Sequence, residues 1–209
     1  MLAIWLCRLG LVFAAFVVQT ALLEAALPGP EEAAAGPSLA GQLLVAAPSM
    51  GDPRFEGTVI LVVQHDSTGA FGIVINKPLG ERSLASLFEA LGQKGGDAAT
   101  KVRIFSGGPV QPEVGLVLHT ADYHRPETVA VNDRLSVTSS IEILRDIGNK
   151  KGPAKVLMAF GYAGWRPNQL EREIEEGAWG SAEADPTLVF DEDRDSVWND
   201  AWERRTQQL

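Results

Sequence analysis

Two apolar runs lie almost back to back, and they constrain this chain more than any other feature. Residues 58–65 read TVILVVQH and residues 71–75 read FGIVI, with Ser67, Thr68 and Gly69 between them. Neither run alternates apolar with polar residues, so each is predicted as a strand covered on both faces. The connection is far too short for a crossover helix, so the pair reads as an antiparallel hairpin. Such a hairpin needs a packed layer of side chains on each side of its sheet.

The remaining pattern adds strands faster than helices. Short strands are predicted at 42–47, 102–105, 115–119, 128–131, 135–138, 155–160 and 187–190. Ser83 caps a helix that carries Leu84, Leu87, Phe88 and Leu91 at helical spacing, with Gly92 as its stop. Ser139 and Glu142 have capping-box spacing ahead of Ile143, Leu144 and Ile147. Asp195 and Ser196 start a last helix with Trp198 and Trp202 four residues apart. Between these, residues 160–174 read as a strand end, a glycine-rich corner and a helix start. Gly161 and Gly164 provide the freedom for the corner, Asn168 and Glu171 form a capping pair, and Leu170, Ile174 and Ala178 face inward. Hairpin-length turns with irregularly placed helices favour a mixed α+β domain over a doubly wound parallel sheet.

Charge is unevenly spread. Residues 39–160 carry 12 basic and 12 acidic side chains, whereas residues 161–209 carry 5 and 12, a net −7. A neutral-to-acidic surface repels phosphate backbones, so nucleic acid is not an expected partner. The single cysteine, Cys7, excludes intrachain disulfides, a CxxC pair and thiolate zinc sites. Three histidines do not suggest a histidine-rich metal site, and no metal or cofactor is expected. Residues 1–27 are strongly apolar from Leu9 to Leu23, the pattern of a secretory h-region or a membrane tether, or else an upstream misassigned start. Membrane contact would come only through that segment. Residues 28–38 (PGPEEAAAGPS) are expected to form a flexible linker, and the folded domain to occupy 39–209.

Few residues suggest chemistry. His65 and Asp66 point to opposite faces of a strand and are not expected to pair; a strand-end histidine bonded to loop backbone is the simpler account. His119 and His124 flank Asp122 at a spacing that fits no metal motif, and are expected as surface histidines. Ser106-Gly107-Gly108-Pro109 lacks the nucleophile-elbow pattern and reads as a turn where two backbone segments meet. Tyr162, Trp165, Trp179, Trp198 and Trp202 gather in the last quarter, either closing the core under the final helices or lining a partner groove with Arg166 at its rim.

The segments 41–46, 59–65, 69–78, 107–110, 117–119 and 161–173 together resemble the AlgH/YqgE family of bacterial proteins, the Gly-Tyr-Ala-Gly-Trp stretch followed by Gln-Leu-Glu above all. The resemblance spans about residues 39–205, and Asn168 stands where the family usually has glycine. It implies a strongly bent, mostly antiparallel sheet forming a pseudo-barrel flanked by helices, no established enzymatic activity and a cytoplasmic location. The family name derives from control of alginate synthesis. The expected role is a non-enzymatic binding or regulatory protein acting through protein contacts. The candidate partner or ligand surface comprises His65, Asn76, Ser106, Gly107, Gly108, Pro109, His119, Tyr162, Trp165, Arg166 and Gln169. Two rivals stay open: a hydrolase or ligand-binding protein in which His65, Asn76, Ser106 and His119 share one pocket, and a transcriptional regulator that binds DNA directly.

Overall fold

The hairpin predicted from the two apolar runs is present as β2 (Val59–Asp66) and β3 (Gly69–Val74), paired antiparallel from Ile60–Val74 to Asp66–Gly69. Both faces are covered, as the unbroken apolar pattern requires. Val59, Leu61 and Val63 enter one core cluster, and Ile60 and Val62 enter another. The structure is a computed structural model that describes residues 37–205. The apolar segment 1–27 and the linker up to residue 36 lie outside the described residues. No helix among the described residues is long and apolar enough to cross a membrane.

Around the hairpin are β1 (Gln42–Ala46), β4 (Pro78–Ser83), β5 (Lys101–Ser106), β6 (Val110–Thr120), β7 (Thr128–Ala130), β8 (Leu135–Thr138), β9 (Val156–Trp165) and β10 (Trp179–Glu183). They form one sheet in the order β10-β1-β2-β3-β9-β6-β8-β7, with β4 and β5 branching from β9. The strand β9 holds the branches together. Its first half pairs parallel with β5 and antiparallel with β6, and its last three residues pair with β3. The β6 pairing is interrupted between Phe160 and Tyr162, at Gly161, whose φ of 74° only glycine adopts at little cost. All other pairings are antiparallel.

The sheet curls into a half-barrel. Leu43 and Ala182, from one end of the strand order, share a core with Leu118, Leu135 and Val137 from the other. Polar contacts join the same two flanks: Arg134 pairs with Glu183 at 2.6 Å, and the Asn132 amide donates to the Gly41 carbonyl at 3.4 Å. The concave side is filled by α4 (Pro186–Val189) and α5 (Val197–Glu203) through Leu188, Val189, Val197 and Ala201. On the convex side α1 (Leu84–Ala90) and α2 (Glu142–Gly148) cover Val102, Ile104, Val117 and Met158. The helix α3 (Gln169–Glu175) covers Leu44, Ile60 and Val62 with Leu170.

Several local expectations hold. Ser83 caps α1, its Oγ accepting from the Ser86 N–H at 3.2 Å. Others fail for identifiable reasons. The glycine-rich corner is not a corner: residues 161–165 continue β9, because β3 is available to pair with them. Asn168 makes no side-chain cap; it sits at φ 60°, the left-handed region where glycine is preferred, and the Arg166 N–H is taken by the Gln169 side chain at 3.1 Å. Ser139 does not cap α2: the N-cap position is Ile141, without a side-chain cap, and the Glu142 N–H donates to the Ser140 Oγ at 3.3 Å. Residues 187–189 are helical and Phe190 is the C-cap, because Asp185 caps the segment through the Thr187 N–H at 2.8 Å and Pro186 occupies the first turn. The strands β4 and β10 were not expected: β4 is polar and exposed along its length, and β10 is short, WGSAE.

Candidate functional site

Beside the C-terminal end of β9 lies a cleft of about 350 Å³. Its walls come from three places: the 50–55 loop through Asp52, Arg54 and Phe55, the 109–110 segment, and the β9–α3 junction through Gly164, Trp165, Gln169 and Glu173. Trp179, at the start of β10, completes it. Trp165 and Trp179 meet edge to face, with ring centroids 6.0 Å apart, and Phe55 packs likewise on Trp179 at 5.6 Å. Such pairs lock ring orientation beyond the effect of burial alone.

Glu173 organises this wall. Its Oε2 accepts hydrogen bonds from both indole N–H groups, Trp165 and Trp179, each at 2.8 Å. Its Oε1 accepts from the Gln169 amide at 2.8 Å. Gln169 and Glu173 are four residues apart, so α3 presents both on one face. At the rim, Arg54 is bound to Asp52 through Nε (3.0 Å) and Nη2 (2.6 Å), and that partner holds the Asp52 carboxyl below its usual range.

The candidate residues divide. Pro109, Trp165 and Gln169 line the cleft; Arg166 is exposed and is not part of its lining. Gly107 and Gly108 interlock with residues 161–162 of β9: a Cβ on Gly107 would lie inside contact distance of the Gly161 carbonyl, and one on Gly108 would overlap the Tyr162 backbone. That is the close meeting of two backbone segments expected for this turn. Tyr162 packs edge-on to Phe71 at 5.0 Å, against the main core. Trp198 and Trp202 stack on each other at 5.8 Å on that same core, so the five aromatics form separate groups.

None of His65, Asn76, Ser106 and His119 lines the cleft, and the side chains of His65, Asn76 and His119 are each hydrogen-bonded to separate partners. The His65 Nδ1 accepts from the Leu39 N–H at 3.0 Å, so the ring proton is on Nε2, 2.7 Å from Glu171 Oε1. Burial pushes the Glu171 carboxyl up, but bonds from its own backbone N–H and from His65 outweigh it and hold the group below its ordinary value. Asn76 ties Val59 to Gly57, accepting from the Val59 N–H at 2.8 Å and donating to the Gly57 carbonyl at 2.9 Å. Ser106 ends β5, its N–H donating to the Lys77 carbonyl. His119 is fully buried, against expectation, because β6 carries it under the 120–138 segment. Its Nδ1–H donates to the Thr120 carbonyl (2.8 Å), while Nε2 accepts from Thr138, itself hydrogen-bonded to Thr128. Burial pushes its pKa below the ordinary imidazole value, against the opposing pull of the Thr120 carbonyl and Asp122.

Sequence reasoning missed Glu173, Phe55 and the 50–55 loop as parts of one wall. The spacing of Gln169 and Glu173 was the available signal. Nothing in the sequence joins either to residues more than a hundred positions earlier. No cluster of three or more His, Cys, Asp or Glu able to hold a metal occurs among the described residues.

Comparison with known proteins fits this architecture. A UPF0301 protein of Rhodospirillum rubrum is 45% identical over 153 residues, covering 73% of this chain and 80% of its own. A UPF0301 protein of Methylococcus capsulatus is 42% identical over 161 residues, 77% and 88% of the two chains. The solution structure of the AlgH protein from Pseudomonas aeruginosa matches with a TM-score of 0.69 at 35% identity, over 81% of this chain and 89% of that one. A crystal structure of a Corynebacterium diphtheriae protein shares the fold, with a TM-score of 0.62 at 24% identity over 82% and 88%. The family model described as AlgH-like matches residues 43–209, and the chain belongs to that family.

Proposed function

We propose that this protein is a non-enzymatic binding protein that acts through contacts with another protein, and that the Trp165–Trp179–Glu173 cleft is its contact surface. The observation that carries the reading is the cleft itself. It has an aromatic wall held by two strands, in which Trp165 and Trp179 are buried and Phe55 is partly exposed, the kind of anchor pocket on which interfaces concentrate their binding energy. The reading also draws support from the polar side chains that would serve a reaction. His65, Asn76 and His119 spend their hydrogen bonds on separate structural partners. Direct DNA binding is the weaker alternative, since residues 39–160 are neutral and residues 161–209 carry a net −7.

The test is a variant that adds bulk at the cleft without touching the core. Gly51 lines the cleft and is exposed, and a Cβ there meets nothing within 4 Å. Affinity capture from the protein's own cell extract is expected to lose its main partner with Gly51→Leu. Equal recovery by wild type and variant would refute the cleft as the contact surface.

A further inference from the structure

We infer that the cleft takes an arginine side chain of the partner protein, held by Glu173 and stacked against the aromatic wall; the inference rests on the contact role proposed above.

A carboxylate offers about four acceptor positions. Three of those on Glu173 are filled, two on Oε2 by the indole N–H groups and one on Oε1 by Gln169. All three donors are neutral. No Lys, Arg or His among the described residues forms an ion pair with Glu173. The nearest cation along the cleft lining, Arg54, already has a counter-charge in Asp52, bound through two of its nitrogens. The cleft therefore presents one negative charge, fixed in position and lacking a cationic partner, with acceptor capacity left on Oε1.

Two further observations select the chemistry. The wall beside the carboxylate is aromatic (Phe55, Trp165 and Trp179), which favours a cation with a flat, weakly hydrated head that can lie against a ring. A guanidinium has that shape and can also donate to a carboxylate, whereas an ammonium is compact and strongly hydrated. The segment that supplies Trp165, Gln169, Glu173 and Trp179 has the complementary sign overall, since residues 161–209 carry 5 basic against 12 acidic side chains. Such a field speeds the approach of a basic segment.

The indole N–H groups of Trp165 and Trp179 both point at Glu173, so their NMR resonances report directly on the site in the full chain. Nα-acetyl-arginine methylamide is the probe, with the corresponding citrulline compound as its neutral isostere and the lysine compound as the alternative cation. The expected result is a saturable shift of both indole resonances by the arginine probe, with the citrulline probe at least tenfold weaker. Glu173→Gln keeps a carbonyl that accepts from both indoles, and is expected to weaken the arginine probe at least tenfold with its unfolding midpoint near that of wild type. Equal response to citrulline, no response to arginine, or undiminished binding in Glu173→Gln overturns the inference. A lysine probe that binds more tightly than arginine overturns the choice of guanidinium. Should Glu173→Gln fail to fold, Gly51→Leu decides, because it adds bulk at the cleft and leaves the Glu173 bonds in place; unchanged arginine binding there is fatal. Partner capture lost in Gly51→Leu, together with arginine binding indifferent to Glu173→Gln, would sink this inference alone and leave the contact role standing. Charge-selective arginine binding with unchanged capture would do the reverse.

Discussion

Gly107→Ala provides the sharpest test of how the branched sheet is held together. Its φ lies outside the left-handed region, so alanine is compatible with the backbone conformation and the penalty is purely one of space. The new methyl would sit inside contact distance of the Gly161 carbonyl oxygen, 3.2 Å from the carbonyl carbon and 3.0 Å from the Ala159 Cβ. The first two are backbone atoms of β9 and cannot swing aside. Relief therefore means moving the turn off β9. That stretches two hydrogen bonds: Gly107 N–H to the Phe160 carbonyl, and Val74 N–H to the Gly107 carbonyl, both 2.8 Å. Overpacking costs about 1–3 kcal/mol. Each buried bond lost adds about 1–3 kcal/mol, and reduced unfolded-state freedom returns about 0.4–1 kcal/mol. With both bonds lost, a cost of about 2–8 kcal/mol follows, a large share of the roughly 5–15 kcal/mol a domain possesses. In urea this is a midpoint shift of about 1–4 M for a slope of about 2 kcal/mol/M. Gly164→Ala is the matched control on β9, where the added Cβ makes ordinary contacts and the change should stay within about 1 kcal/mol. If Gly107→Ala unfolds with the same midpoint as Gly164→Ala, the interlocked turn is not what the geometry indicates.

Other perturbations follow from single side chains. Asn76→Ala strips partners from the buried Val59 N–H and the Gly57 carbonyl, and should destabilise by about 2–4 kcal/mol in chemical denaturation. Glu173→Leu orphans both indole N–H groups and should cost about 2–6 kcal/mol, visible as a lowered midpoint that Glu173→Gln does not show. The buried imidazole of His119 has a lowered pKa, so below about pH 6.5 the unfolded chain binds a proton there that the native state does not. Its contribution to stability is thus complete above that pH and is lost as pH falls toward the depressed native value. The stability of His119→Gln between pH 7 and 5 should accordingly fall less steeply than that of wild type, although its stability at pH 7 is lower.

The hairpin, the capped α1 and the apolar faces of α2 and α5 were legible because each is written in residues within a turn or two of one another. The turn at 106–109 was legible as a close approach, since paired glycines have few other uses, but not as an approach to Gly161. What failed was local structure decided by a distant partner. β4 reads PLGERS and becomes a strand because β5 offers it an edge, and residues 161–165 remain extended because β3 pairs with them. Residues 187–190 depart from the strand expectation for the opposite reason: the Asp185–Pro186 helix start is a local signal, and it prevails over the β-branched Thr187 and Val189.

The candidate site divides along the same line. Trp165, Gln169 and Pro109 stand out as residues, yet their common wall exists only because the 50–55 loop and β10 are brought against the β9–α3 junction. By itself the sequence determined that a two-faced hairpin would sit in an α+β domain, because burial on both faces is encoded in unbroken apolar runs. Only the tertiary structure decided that His119 is buried and that one carboxylate receives two tryptophans. Hydrogen-bond partners 6, 8 and 19 residues away become neighbours only when strands register and the sheet closes around its core.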